Sequence, residues 1–152
     1  MTYTAAEGRQ QILDAISVAA EEIATALAEL SEAYEHLDEH AAERLEDSLF
    51  GPVQSAYGRA KGLHKSFAER SGLPGRAFET PFQVAPSSSP KGSIERAVQA
   101  AVKADATLAE LQDSMLPVEV GDDRLRAGLA DIRQRLADLR PRGRELIRTL
   151  GR

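Results

Sequence analysis

Apolar residues return along this chain at alternating intervals of four and three. From Ile23 through Leu27, Leu30, Tyr34 and Leu37 to Ala41 the steps are 4, 3, 4, 3 and 4, and Leu45 continues the series. Near the C-terminus Leu125, Leu129, Ile132, Leu136, Leu139, Gly143, Leu146 and Leu150 step by 4, 3, 4, 3, 4, 3 and 4. A 3.5-residue spacing gathers these side chains on one edge of an α-helix, and such edges bury themselves by packing lengthwise at shallow angles. The expected fold is therefore all-α: one domain over residues 1–152, an antiparallel four-helix bundle with coiled-coil-like packing.

Local signals place the helices. Thr4 with Glu7 is a capping-box pattern, which starts helix one at about residue 4. No proline interrupts the pattern from there to Leu49, so the helix is expected to be overlong, roughly 65–70 Å at 1.5 Å per residue. Gly51-Pro52 should end it, by a tight reversal or by a kink in a continuing rod, with reversal the expected outcome. Helix two would run over 52–71, with a stripe of Val53, Ala56, Ala60, Leu63 and Phe67. Four prolines make 73–90 an irregular loop, in which Phe78, Phe82 and Val84 are expected to press onto the bundle. Helix three would span 91–116, with Ile94, Val98, Ala101, Leu108, Leu111 and Met115 inward. Helix four would span 122–150, kinked at Pro141. Helix one would then be about twice the length of helix two. Its uncovered stripe predicts a second copy of the chain, a homodimer.

Composition narrows the function. The chain has no cysteine, which excludes disulfides and thiolate metal sites and fits a reducing, cytoplasmic setting. The start MTYTAAEGRQQ lacks a basic and apolar leader, and no apolar run could span a membrane. The formal net charge of −5 argues against nucleic-acid binding. That charge is segregated. Residues 1–50 carry 12 acidic and 2 basic groups, whereas 51–91 and 121–152 are each net +4. Acidic helix one beside basic helices two and four steers pairing within one fold. The C-terminal arginines Arg140, Arg142, Arg144 and Arg148, with Arg133, Arg135 and Arg152, make a candidate surface for an anion, an acidic partner or, against the overall charge, nucleic acid.

Few residues offer chemistry. His36 and His40 have i, i+4 ligand spacing but fall away from the apolar seam, and no histidine follows a glutamate by three as a di-iron bundle requires. No metal or other cofactor is expected. His64 sits at the edge of the helix-two stripe with Tyr57 seven residues earlier. Asp105 and Gln112 lie on the inner face of helix three. A carboxylate there needs a partner. Tyr57, His64, Asp105 and Gln112 are thus either a structural polar layer or a small polar pocket for a small ligand or a metal, with His64 as base and Asp105 orienting it in the ligand reading. There is no Gly-x-Ser-x-Gly nucleophile and no phosphate-binding glycine loop. Gly58 and Gly62 on the outer side of helix two mark either a close helix approach or a loosely held segment. The leading expectation is a non-enzymatic interaction or scaffold protein with a protein partner.

Overall fold

A computed structural model describes residues 4–79, 84–86 and 89–150, and all regular structure among them is helical. Helix α1 spans Ala5–Glu35, α2 spans Glu39–Leu45, a π turn spans Glu46–Phe50, and α3 spans Gly51–Ser71. After the loop come α4 (Pro90–Asp113), the single turn α5 (Leu116–Glu119), α6 (Asp123–Leu136) and α7 (Leu139–Leu150). None of these helices is long and apolar enough to cross a membrane.

The chain reverses at His36-Leu37-Asp38, not at Gly51-Pro52. Thr4 caps the start of α1 by accepting from the Glu7 N–H at 3.1 Å. At the other end the His36 N–H closes on Ala33 O. Asp38 then opens α2, its carboxylate accepting from the Ala41 N–H at 2.8 Å. Aspartate offers the backbone a side-chain acceptor in place of the helical carbonyl, which is what makes it an N-cap and, inside a long apolar pattern, a breaker. Helix one is therefore 31 residues, about 46 Å, and not overlong.

Gly51-Pro52 lies inside a continuing rod over 39–71. Pro52 has no N–H for the Ser48 carbonyl four residues back. Two features absorb that loss. The backbone widens into the π turn, where the Gly51 N–H reaches Glu46 O. Arg142 of α7 donates its Nη1 to Ser48 O at 3.3 Å, in place of the absent amide. Arg142→Ala is thus expected to cost about 1 kcal/mol. The cost should shrink in a Pro52→Ala background, where residue 52 supplies its own N–H. Urea unfolding of the four-member cycle checks this, and equal costs in both backgrounds would refute the substitution of one donor for the other.

The rods pack as a square. α1 lies beside α3 and α4, and α6–α7 lies beside the same two on the far side. Contacts run in opposite senses along each pair. Gly8 faces Leu116 and Val120, Glu22 meets Thr107, and Glu29 meets Arg96. Along α3 and α6, Arg59 pairs with Asp131, Leu63 packs on Gly128, and Arg70 pairs with Asp122. The core between them includes Ile12, Ile16, Ile23, Leu30, Leu45, Leu49, Phe67, Ile94, Leu108, Leu125 and Leu129, all at most 1% exposed. Leu136 and Leu139 are buried as well. The rod over 39–71 is as long as α1, so the mismatch that predicted an uncovered seam and a homodimer does not exist. Tyr34, placed in that seam by its spacing, instead stands 47% exposed where α1 ends.

Other boundaries shift for local reasons. α4 stops at Asp113, because Ser114 takes over as C-cap and Met115 turns left-handed at φ 69° ahead of Pro117. Met115 is consequently 52% exposed, not inward. Pro141 does not kink a long helix. The helix breaks at Ala137-Asp138, which puts Pro141 in the first turn of α7, where a missing N–H costs nothing.

Candidate functional site

The residues expected to share one polar pocket form two separate clusters. In the first, the loop after α3 folds back over that helix. The Tyr57 hydroxyl donates to Glu79 O at 3.1 Å. The Phe78 ring meets the His64 ring edge-on, with centroids 5.3 Å apart. The Arg76 guanidinium stands over the Phe78 ring at 4.7 Å and pairs with Glu21 of α1 at 2.6 Å. Phe78 thus presses onto the bundle as expected, and Val84 is half-buried; Phe82 lies outside the described residues. Lys61 sits over the Tyr57 ring at 4.4 Å.

His64 is only 3% exposed, and its Nδ1 has no hydrogen-bond partner among the described residues. Burial lowers its pKa, the nearby Arg76 lowers it further, and Asp14 of α1 partly offsets both. Burial likewise raises the Tyr57 pKa, against a smaller opposing effect of Arg76. The sign for stability follows. The folded chain holds His64 neutral to a lower pH than the unfolded chain, which takes up a proton near the ordinary value of 6.5. Stability is complete above that pH and is lost as the pH falls from 6.5 toward the lower folded pKa. Urea midpoints should therefore drop between pH 7 and pH 5 more steeply in the parent chain than in His64→Leu. Parallel pH slopes would rule out this role of His64.

Asp105 belongs to the second cluster, between α4 and α6. Arg133 grips it with both prongs, Nε at 2.8 Å and Nη2 at 3.3 Å, and gives Nη1 to Gln112 Oε1 at 2.8 Å. The hydrogen bond to Asp105 raises the Arg133 pKa. With both carboxylate oxygens committed to Arg133, Asp105 orients no imidazole, and the expected His64–Asp105 couple is not formed. Arg133, counted among the free C-terminal arginines by sequence, is the partner that the Asp105 carboxylate required.

The histidines of the reversal part company too. His36 is the C-cap of α1 and pairs with Glu32 at 3.1 Å, while His40 belongs to the first turn of α2. They no longer share a helix, so the i, i+4 geometry fails. No group of three or more metal-ligating side chains occurs among the described residues. Gly58 and Gly62 face open space, with no atom within 4 Å of where a Cβ would stand.

Of the C-terminal arginines, Arg142 serves Ser48 O and Arg148 pairs with Glu145 at 3.2 Å. Arg140 and Arg144 are exposed on α7, and Arg152 lies outside the described residues. Charge pairing between rods differs from the expected pattern. Arg59 and Arg70 of α3 pair with α6, and α1 uses Glu21 and Glu29 against Arg76 and Arg96. Glu29, 5% exposed and missed by sequence, is the buried one of these.

This leaves a corner rich in carboxylates. Residues 32–47 hold Glu32, Glu35, Asp38, Glu39, Glu43, Glu46 and Asp47 against a single arginine, Arg44. All but Glu32 are exposed. Among the described residues, Glu35, Glu39, Glu43, Glu46 and Asp47 take part in none of the ion pairs. The last turn of α1 carries no basic residue, so its negative helix end adds to the same field. Arg44 is drawn inward to Thr149 of α7. At this corner Ser31, Tyr34, Glu35, Glu46 and Phe50 line an open groove of about 260 Å³. Sequence reasoning missed it because Tyr34 fitted the seam spacing. No family model, characterised protein or solved structure matches this chain.

Proposed function

We propose that the chain is a non-enzymatic interaction protein, and that its acidic corner docks onto a basic surface of a partner protein. The observation that carries this reading is the set of exposed carboxylates Glu35, Glu39, Glu43, Glu46 and Asp47, which form no ion pair among the described residues. Like charges held together raise the free energy of the isolated molecule, and a cationic partner relieves it. The polar groups elsewhere support the same view. Asp105 is satisfied by Arg133, and His64 is sealed under Phe78 without an aligned acid or nucleophile.

The test is calorimetric titration with a short peptide rich in arginine and lysine. Binding should weaken as salt rises from about 0.05 to 0.2 M. A variant with Glu35, Glu39, Glu43 and Glu46 changed to glutamine should bind roughly tenfold or more weakly. The same affinity in both proteins would overturn the reading. Sedimentation that returns a stable dimer sealed through this corner would replace it with the scaffold homodimer.

A further inference from the structure

The groove at the acidic corner has a more selective chemistry than the carboxylates around it. Tyr34 from the last turn of α1 and Phe50 from the π turn bring aromatic surface to it, and Glu35 and Glu46 bring charge. Tyr34 is 47% exposed, one of four large apolar side chains that stand out into solvent among the described residues. Phe50 is half-buried against the core, so its place is fixed by packing and not by the groove. The π turn is what carries Phe50 and Glu46 to this position, and such turns recur at binding sites because they re-aim side chains at a cost in backbone regularity.

The lining excludes most occupants. An anion would be repelled by Glu35 and Glu46. A purely apolar side chain would strip water from two carboxylates and return no hydrogen bond. A cation with a flat apolar face satisfies both halves of the lining. A guanidinium stacks on aromatic rings and forks onto carboxylates, and an ammonium does the second only as a strongly hydrated point charge. We infer that the Tyr34–Phe50 groove receives an arginine side chain from the basic segment of the partner protein. This rests on the reading of the corner as a docking face and adds to it a single specificity-determining contact.

Three peptides identical but for one central residue test it: arginine, lysine, and citrulline, which keeps the shape of arginine without the charge. They are titrated into the parent chain and into Tyr34→Ala, an exposed change that leaves the core intact, with Phe50→Leu as a second variant and circular dichroism as the check on folding. The arginine peptide should bind the parent roughly fivefold to tenfold more tightly than the lysine peptide, and the citrulline peptide more weakly than both. Tyr34→Ala should remove the preference for arginine over lysine while retaining binding of a lysine-rich peptide to the corner. Equal affinity for arginine and lysine, or a preference unchanged in Tyr34→Ala, would overturn the inference. If the glutamine variant of the corner also binds as the parent does, the docking face fails as well; if it does not, only the groove assignment is lost.

Discussion

Replacing Phe67 by alanine is expected to lower stability by about 3–5 kcal/mol. Phe67 is the largest fully buried side chain among the described residues, 1% exposed, and it projects from α3 into the common core. The loss has two parts. The ring's apolar surface no longer leaves water on folding, and the space it filled closes only in part because the surrounding helices are held by their own contacts. Arg70, whose guanidinium stands 5.8 Å from the ring centroid, also loses its aromatic neighbour. A domain of this size has a total stability of about 5–15 kcal/mol, so the variant should be close to its unfolding midpoint in moderate urea. A loss under about 1 kcal/mol in denaturant unfolding would mean that α3 is not packed as described.

Gly121→Ala should cost about 2–3 kcal/mol for the opposite reason, too much matter where none fits. A Cβ at this position would lie 2.4 Å from the Pro117 carbonyl oxygen and 2.6 Å from Leu125 Cδ2. Leu125 could rotate, but the carbonyl is backbone, and it also accepts from Arg126 Nη1 at 3.0 Å. Relief therefore requires moving the turn between α5 and α6, which carries the Asp122 cap and its two-pronged bond to Arg70. Gly62→Ala supplies the matched control, because it adds the same methyl group to a helix face with open space around it. That change should stabilise by about 1 kcal/mol through helix propensity alone. Thermal or urea unfolding of the two variants side by side decides the matter. A Gly121→Ala protein as stable as Gly62→Ala would contradict the close approach.

The contrast between these glycines indicates what a sequence can convey. Periodicity identified the buried edges because it depends only on neighbours along one helix: Leu125, Leu129, Ile132 and Leu136 are inward as their spacing requires. The cap with a side-chain acceptor at Thr4 was legible for the same reason. The reversal at Asp38 was not, because a lone aspartate inside an apolar pattern reads equally as an exposed helical residue. Gly51-Pro52 read as a stop because the rescue of Ser48 O comes from Arg142, ninety-odd positions away and on another rod. Asp105 was recognisable as a group in need of a partner, but the identity of Arg133 depends on which rods are neighbours. The groove was invisible for a related reason. Tyr34 has the correct interval for burial, and only the early end of α1 leaves it in the open.

The surplus residue in the π turn accounts for one further property of the second rod. Its buried positions Ala41, Leu45, Leu49 and Val53 are spaced by four each time. On an ideal helix, at 100° per residue, that spacing would wander about 120° around the axis and carry Val53 off the core. Absorbing one residue in the wide turn cuts the wander to about 20°. The turn acts as a vernier: it brings two stretches written in different phases back onto a common line, so α2 against α1 and α7, and α3 against α1 and α6, bury one continuous stripe.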